Sequence, residues 1–184
     1  MTRTFITRFL NFFRQMNHRF GKNFNPLDPQ EFIRHVDNLK IAPGSEKIHL
    51  NLWGEGWYGG AINLNAIPTT STTGLPDRPI PNLIIISEPL QGQNVTRLPI
   101  KNQVADIMTS ESSPTTTALA DEMARIIKPG GKVRLGHPHW PAEGFDAYEL
   151  HHLVASRIGG SYVQETRFID GKPFVVTIIT APFD

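Results

Sequence analysis

Over the first twenty positions Phe5, Ile6, Phe9, Leu10, Phe12, Phe13, Met16 and Phe20 recur at mostly helical spacing, interleaved with Arg3, Arg8, Arg14 and Arg19 and with no acidic residue. The spacing predicts a basic amphipathic helix over 1–22. A linker follows from Asn23 to Leu27. Asp28, Pro29 and Glu31 then supply an N-cap, a first-turn proline and a capping-box acid, which predicts a short helix to about Asn38 that buries Phe32, Ile33, Val36 and Leu39.

Beyond Pro43 and Gly44 the period changes from helical to alternating. Ile48, Leu50 and Leu52 alternate with polar residues, so Lys47 to Trp53 is a predicted strand, followed by the loop Gly54 to Gly60 and a second strand from Ala61 to Asn65. That loop has seven residues, whereas a parallel crossover takes about a dozen or more. The two strands are therefore expected to form an antiparallel hairpin, unless the second is not the neighbouring strand of a parallel sheet. Pro68 to Pro81, rich in threonine, serine and proline, reads as a long exposed loop, and Leu83 to Ser87, a continuous apolar run, as a buried strand.

The second half has a regular rhythm. Val104 to Ser110 is a strand, Thr115 to Ile127 a helix facing inward through Leu119, Met123, Ile126 and Ile127, and Lys132 to Gly136 a strand. Asp146 and Glu149 open another helix that Gly159 and Gly160 close. Two strands, Tyr162 to Ile169 and Pro173 to Thr180, are joined at Asp170-Gly171, a hairpin signal. The expectation is one α/β domain over 23–184 carrying the basic helix 1–22 as an appendage.

Composition narrows the function classes. At 184 residues the chain suits one such domain rather than two. With 18 basic and 17 acidic side chains there is no global field to attract nucleic acid, and the basic residues gather mainly in the first helix, which disfavours a nucleic-acid partner. That helix is expected to dock on the domain, on a second copy as a homodimer, or on another protein; a membrane surface is the less favoured partner. The absence of cysteine excludes disulfides, a thiolate zinc site and a cysteine nucleophile. Arginines interrupt the N-terminal apolar residues, unlike a secretory signal, so a cytoplasmic location is expected.

The string Leu98-Pro99, then Ala105-Asp106-Ile107, then Ala120 to Ile127 leading into Lys128-Pro129-Gly130-Gly131-Lys132 resembles the latter half of class I S-adenosylmethionine-dependent methyltransferases. In that family a Leu-Pro pair leads to a strand with an aspartate, and a helix ends in a Lys-Pro-Gly-Gly turn before the next strand. The resemblance spans about Asn82 to Asp184. It implies a Rossmann-like methyltransferase sheet with a C-terminal antiparallel hairpin and, here, a truncated first half. It also implies S-adenosylmethionine as cofactor, held near Gly54, Glu55 and Gly56 of the glycine loop, Asn65, Asn94 and Glu111. The family usually has acidic residues before the glycine loop and at the positions of Asn65 and Asn94; this chain has asparagine at the latter two.

Open α/β sheets bind ligands at strand C-terminal ends, so Glu88, Glu111, Ser112, His137 and His139 are candidates for chemistry, with His137 and Glu111 as the catalytic pair to test. His137 is the first choice for a base because histidine titrates near neutrality. His137, His139, His151 and His152 lack the supporting ligands of a metal site, so no metal is expected. Trp53, Trp57, Tyr58 and Trp140 could stack on adenine or on a flat substrate. Two readings follow: a small methyltransferase acting on an unknown acceptor, or a non-catalytic methyltransferase-like module for binding or dimerisation.

Overall fold

The computed structural model describes residues 47–54, 56, 58, 60–65, 68–69, 78–86, 97–111, 116–139, 141, 146–169 and 171–183. The expected helices over 1–22 and 28–38 lie outside these residues, as does most of the loop between Pro68 and Pro81. Among the described residues the elements are β1 (His49–Leu52), β2 (Ile62–Asn65), β3 (Leu83–Ile85), β4 (Ala105–Glu111), α1 (Thr117–Ile126), β5 (Ile127–Pro138), α2 (Ala147–Ile158), β6 (Ser161–Ile169) and β7 (Lys172–Thr180). The strands form one sheet in the order β3-β2-β1-β4-β5-β7-β6. Pairing is parallel from β3 to β5 and antiparallel across β5, β7 and β6. No helix among the described residues is long and apolar enough to cross a membrane.

Strand alternation gives the sheet two unlike faces. On one, Leu50, Leu52, Leu64, Met108, Val133, Leu135 and Ile179 pack with Leu119, Met123 and Ile126 of α1 and Val154 and Ile158 of α2. The intervening positions combine the buried polar residues His49, Asn51, Asn63, Thr109 and Arg134 with buried apolar Ile107, Phe174 and Val176.

β1 and β2 run parallel, Leu50 opposite Ile62 and Leu52 opposite Leu64, which corrects the expected antiparallel hairpin. No helix occurs among the described residues between them. Left-handed backbone at Trp53 (φ 58°), Gly56 (φ 88°) and Gly60 (φ 79°) turns the short connection instead. Tight turns of this kind bring the chain back in fewer residues than a helical crossover needs, and alternation alone carries no information on strand direction. β3 is a second correction: as the edge of the sheet it leaves Leu83 and Ile84 half-buried and Ile85 62% exposed, despite its uniformly apolar sequence.

The Lys-Pro-Gly-Gly segment also behaves differently from a helix cap. α1 ends at Ile126 and Ile127 is already extended (φ −66°, ψ 138°), so β5 begins five residues before Lys132. The segment forms an irregularity between the pairs Ala105–Ile127 and Ile107–Lys132. Gly130 (φ 70°) lies so close to the Phe183 ring that a β-carbon would collide with it, and its N–H donates to the Pro182 carbonyl at 3.1 Å. The glycine therefore admits the C-terminal segment. Asp106 fastens the same corner, accepting the Ile48 N–H at 2.7 Å and the Lys128 ammonium at 2.9 Å. It sits at the N-terminal end of β4, remote from the strand ends where ligands bind. The Leu98-Pro99 segment is clipped to α1, with Glu122 accepting the Leu98 N–H at 2.8 Å and Arg125 donating to the Ile100 carbonyl at 2.7 Å.

α2 starts and stops as its sequence predicts, Asp146 accepting the Tyr148 and Glu149 N–H groups and Gly159 adopting φ 75°. The C-terminal hairpin likewise turns through two residues between Ile169 and Lys172. A polar chain pins α2 to the sheet inside the core. His151 Nε2 lies 2.8 Å from His137 Nδ1, His151 Nδ1 lies 2.7 Å from Thr177 Oγ1, and Gln164 Nε2 donates to that hydroxyl at 2.8 Å. Both histidines are fully buried. Burial first, and His137 second, hold the His151 imidazole far below its ordinary 6.5. Burial lowers His49 to about 4.

Two predictions follow from this packing. Met123→Ala, at a fully buried site on α1, is expected to cost roughly 2–5 kcal/mol, read as a lower urea midpoint with unchanged m-value. The second concerns pH. The folded imidazoles titrate below 6.5, so between those values the unfolded chain binds more protons; their contribution is complete above 6.5 and declines as pH falls toward 4. Urea midpoints measured from pH 7.5 to 4.5 should fall steadily, and His151→Gln should flatten the decline. An equally steep decline in the variant would contradict the assignment.

Candidate functional site

At the C-terminal ends of β1, β2 and β4 the polar face is a closed hydrogen-bonded layer. Thr109 Oγ1 donates to Asn51 Oδ1 at 3.0 Å, and Asn51 Nδ2 donates to Asn63 Oδ1 at 3.1 Å. With its proton on Asn51, Thr109 accepts from His49 Nε2 at 3.0 Å, which places the histidine proton on that nitrogen. Asn63 Nδ2 reaches the Pro81 carbonyl at 2.7 Å. These amides are buried, and leaving any of them unpaired costs about 1–3 kcal/mol.

The glycine loop lies directly on this layer. A β-carbon at Gly54 would overlap both Asn51 and Asn63, so only glycine permits the contact. Asn65 Nδ2 donates to the Gly54 carbonyl at 3.2 Å, and the Gly56 N–H points to Asn63 Oδ1 at 3.4 Å. Farther along the loop Tyr58 is buried with its ring edge-on to His49 at 4.9 Å. Its hydroxyl donates to Glu111 Oε1 at 2.9 Å and accepts from Arg134 Nη1 at 3.2 Å, while Arg134 also forms an ion pair with Glu111. Burial raises the Tyr58 pKa, an effect opposed by the Arg134 charge, so the phenol stays protonated and acts as donor.

Glu111 thus has one oxygen committed and one spare. Its Oε2 is buried and has no hydrogen-bond partner among the described residues. It lies over Gly136 of β5, where a β-carbon would strike it. Trp53 Nε1, on the residue that follows β1, is likewise buried without a partner among the described residues. Trp53 packs against the helix-facing core, whereas Glu111 is held with Tyr58 and Arg134.

Of the residues singled out in the sequence, Gly54, Gly56, Asn65 and Glu111 are linked through this loop. Glu55, Asn94, Glu88, Ser112, Trp57 and Trp140 lie outside the described residues. His137 is not brought to Glu111: it is fully buried against His151 on the helix-facing side. It is therefore a strand residue inside the core rather than a base open at a strand end, and His151 is equally buried while His152 is exposed. His139 stacks edge-on with Tyr148 at 4.6 Å. Sequence reasoning missed Arg134, His49, Asn51, Asn63 and Thr109 as a unit, and it read Tyr58 as a stacking ring rather than a hydroxyl donor. The available signal was polar residues alternating within strands short enough to be wholly buried.

No protein-family model matches the chain, and no curated protein matches it in sequence. Solved structures do match in shape. An S-adenosylmethionine-dependent methyltransferase from Thermotoga maritima is 16% identical with a TM-score of 0.54, over 95% of this chain and 97% of that one. A protein assigned as a methyltransferase, in the complex with the Trm112 methyltransferase activator of Haloferax volcanii, is 13% identical with a TM-score of 0.56, over 98% and 96% of the two chains. Phosphoethanolamine N-methyltransferase 2 of Haemonchus contortus, in complex with S-adenosyl-L-methionine, is 12% identical with a TM-score of 0.52, over 98% of this chain and 57% of that one. Strand order, the antiparallel terminal hairpin and these superpositions agree: the chain has the class I S-adenosylmethionine-dependent methyltransferase-like α/β fold.

Proposed function

We propose that this protein binds S-adenosylmethionine at the C-terminal ends of β1, β2 and β4 and presents it to an unknown acceptor. The observation that carries the reading is the Glu111 carboxylate, whose Oε2 is buried and unpartnered among the described residues while Oε1 is fixed by Tyr58 and Arg134. A buried acceptor without a donor is costly, and a cationic ligand group removes that cost. The amino-acid end of the cofactor carries an ammonium, the charge and donor set that suit Glu111 Oε2.

The fit is different at the nucleoside end. Asn65 already holds the loop through the Gly54 carbonyl, so a ribose would meet a neutral amide rather than a carboxylate. Charge-assisted bonds are roughly twice as strong as neutral ones, and affinity is correspondingly lower than a carboxylate would allow. Glu55 and Asn94 are carried over from the family resemblance as further contacts. When bound, the cofactor supplies an activated methyl on its sulfonium. The chain's own residues orient it: Tyr58 and Arg134 position Glu111, and the asparagine layer holds the loop backbone. His137 faces α2, and with Oε1 held by Tyr58 and Arg134 and Oε2 given to the ammonium, Glu111 orients the cofactor rather than receiving an acceptor's proton.

A second reading, a non-catalytic methyltransferase-like module, is favoured by one observation: among the described residues the β1–β2 connection has no helix, and its polar groups are largely bound to one another. Titration calorimetry of the full chain decides between the two. Saturable heat with S-adenosylmethionine and S-adenosylhomocysteine is expected, and Glu111→Gln should weaken binding about tenfold or more. No heat at millimolar ligand removes the cofactor reading and leaves the module.

A further inference from the structure

β6 is the outermost strand at its end of the sheet, and among the described residues no strand pairs with its outer edge. It is nine residues long and keeps unbroken register with β7 from Ser161–Thr180 to Ile169–Lys172. Natural sheets usually guard such an edge with a bulge, a proline, a lysine or a very short strand. β6 has no bulge, proline or lysine and is not short; its only guard is the charged pair Glu165 and Arg167. Its side chains are exposed almost throughout, and the apolar ones are large: Tyr162 is 46%, Val163 68% and Phe168 73% exposed. Tyr148 of α2, whose hydroxyl meets Thr166, extends the same apolar surface.

The charges on this strand select a partner. Glu165 and Arg167 share the face opposite α2 and form an ion pair along the strand. In an antiparallel pairing of β6 with a second β6 about a two-fold axis at Thr166, Glu165 stands opposite the partner's Arg167 and Arg167 opposite the partner's Glu165. The four charges then alternate in sign around a square. Moving the axis one residue either way sets Glu165 against the partner's Glu165 or Arg167 against the partner's Arg167, and like charges directly opposite are destabilising. On the other face, Gln164 stands opposite the partner's Phe168.

The helices permit this arrangement. α2 packs over β7 and β5 rather than over β6. With strands about 4.8 Å apart, the two α2 helices would lie roughly 14 Å apart or more, wider than the 8–10 Å of direct helix packing. Tyr148, Tyr162 and Phe168 from both copies fill that space. We propose that β6 is a self-pairing edge through which two copies of this chain form one continuous sheet, in the register that sets Glu165 against Arg167.

Sedimentation velocity on the full-length protein tests this, with circular dichroism confirming the fold of each variant. The wild type is expected to be a dimer, and Glu165→Arg or Arg167→Glu alone should weaken it about tenfold or more. The double variant E165R/R167E, which restores opposite signs across the axis, should dimerise as the wild type does. A wild-type monomer at about 100 μM, a dimer indifferent to both single variants, or a double variant that stays monomeric would each overturn the proposal.

Discussion

Asn51 and Asn63 stand side by side on parallel strands inside the protein, and each amide is tied to the other or to an immediate neighbour. Buried amides tolerate few alternative arrangements, because a slip of one residue would turn them to the helix-packed face and leave their partners empty. The pair therefore holds β1, β2 and β4 in one register. It also supplies the floor on which Gly54 rests, and through that loop the positions of Asn65, Tyr58 and Glu111. Everything proposed for the site depends on this layer being fully bonded.

The two faces of the sheet divide the work. Apolar strand residues and the inward faces of α1 and α2 form the core, where burial of hydrocarbon supplies most of the stability. The opposite face mixes buried hydrocarbon from Ile107, Phe174 and Val176 with a hydrogen-bonded layer, which contributes little net stability but fixes geometry closely. His137 and His151 are the exception, a polar link within the apolar layer that orients α2 against β5 and β7. Such a link favours one packing of the helix over others that hydrophobic contact alone would allow.

This division bears on the methyltransferase-like fold. The ends of the parallel strands carry the amides of Asn51, Asn63 and Asn65, and the acidic group beside them is Glu111, itself balanced by Arg134. At the far side of the sheet β6 follows a different rule. Its outer edge meets no other described strand, and its exposed charges are paired along the strand, Glu165 with Arg167.

Much of the architecture was legible from local chemistry. Asp146, Gly159 and Gly171 act within a few residues of themselves, so α2 and the terminal hairpin could be read from the chain. The Leu-Pro, Asp and Lys-Pro-Gly-Gly series pointed to the right fold, although its residues serve to clip α1, β1 and the C-terminal segment rather than to cap a helix. Strand direction was not legible, because alternation is the same for parallel and antiparallel neighbours; the left-handed backbone at Trp53 is a property of the closed turn. Nor was the fate of His137 or Tyr58, since whether an imidazole or a phenol meets water, a helix or a carboxylate depends on what the sheet brings opposite it. The sequence by itself determined α1, α2 and the terminal hairpin, whose signals are local. Only the tertiary structure decided which polar groups satisfy one another and which, like Glu111 Oε2, have no partner among the described residues.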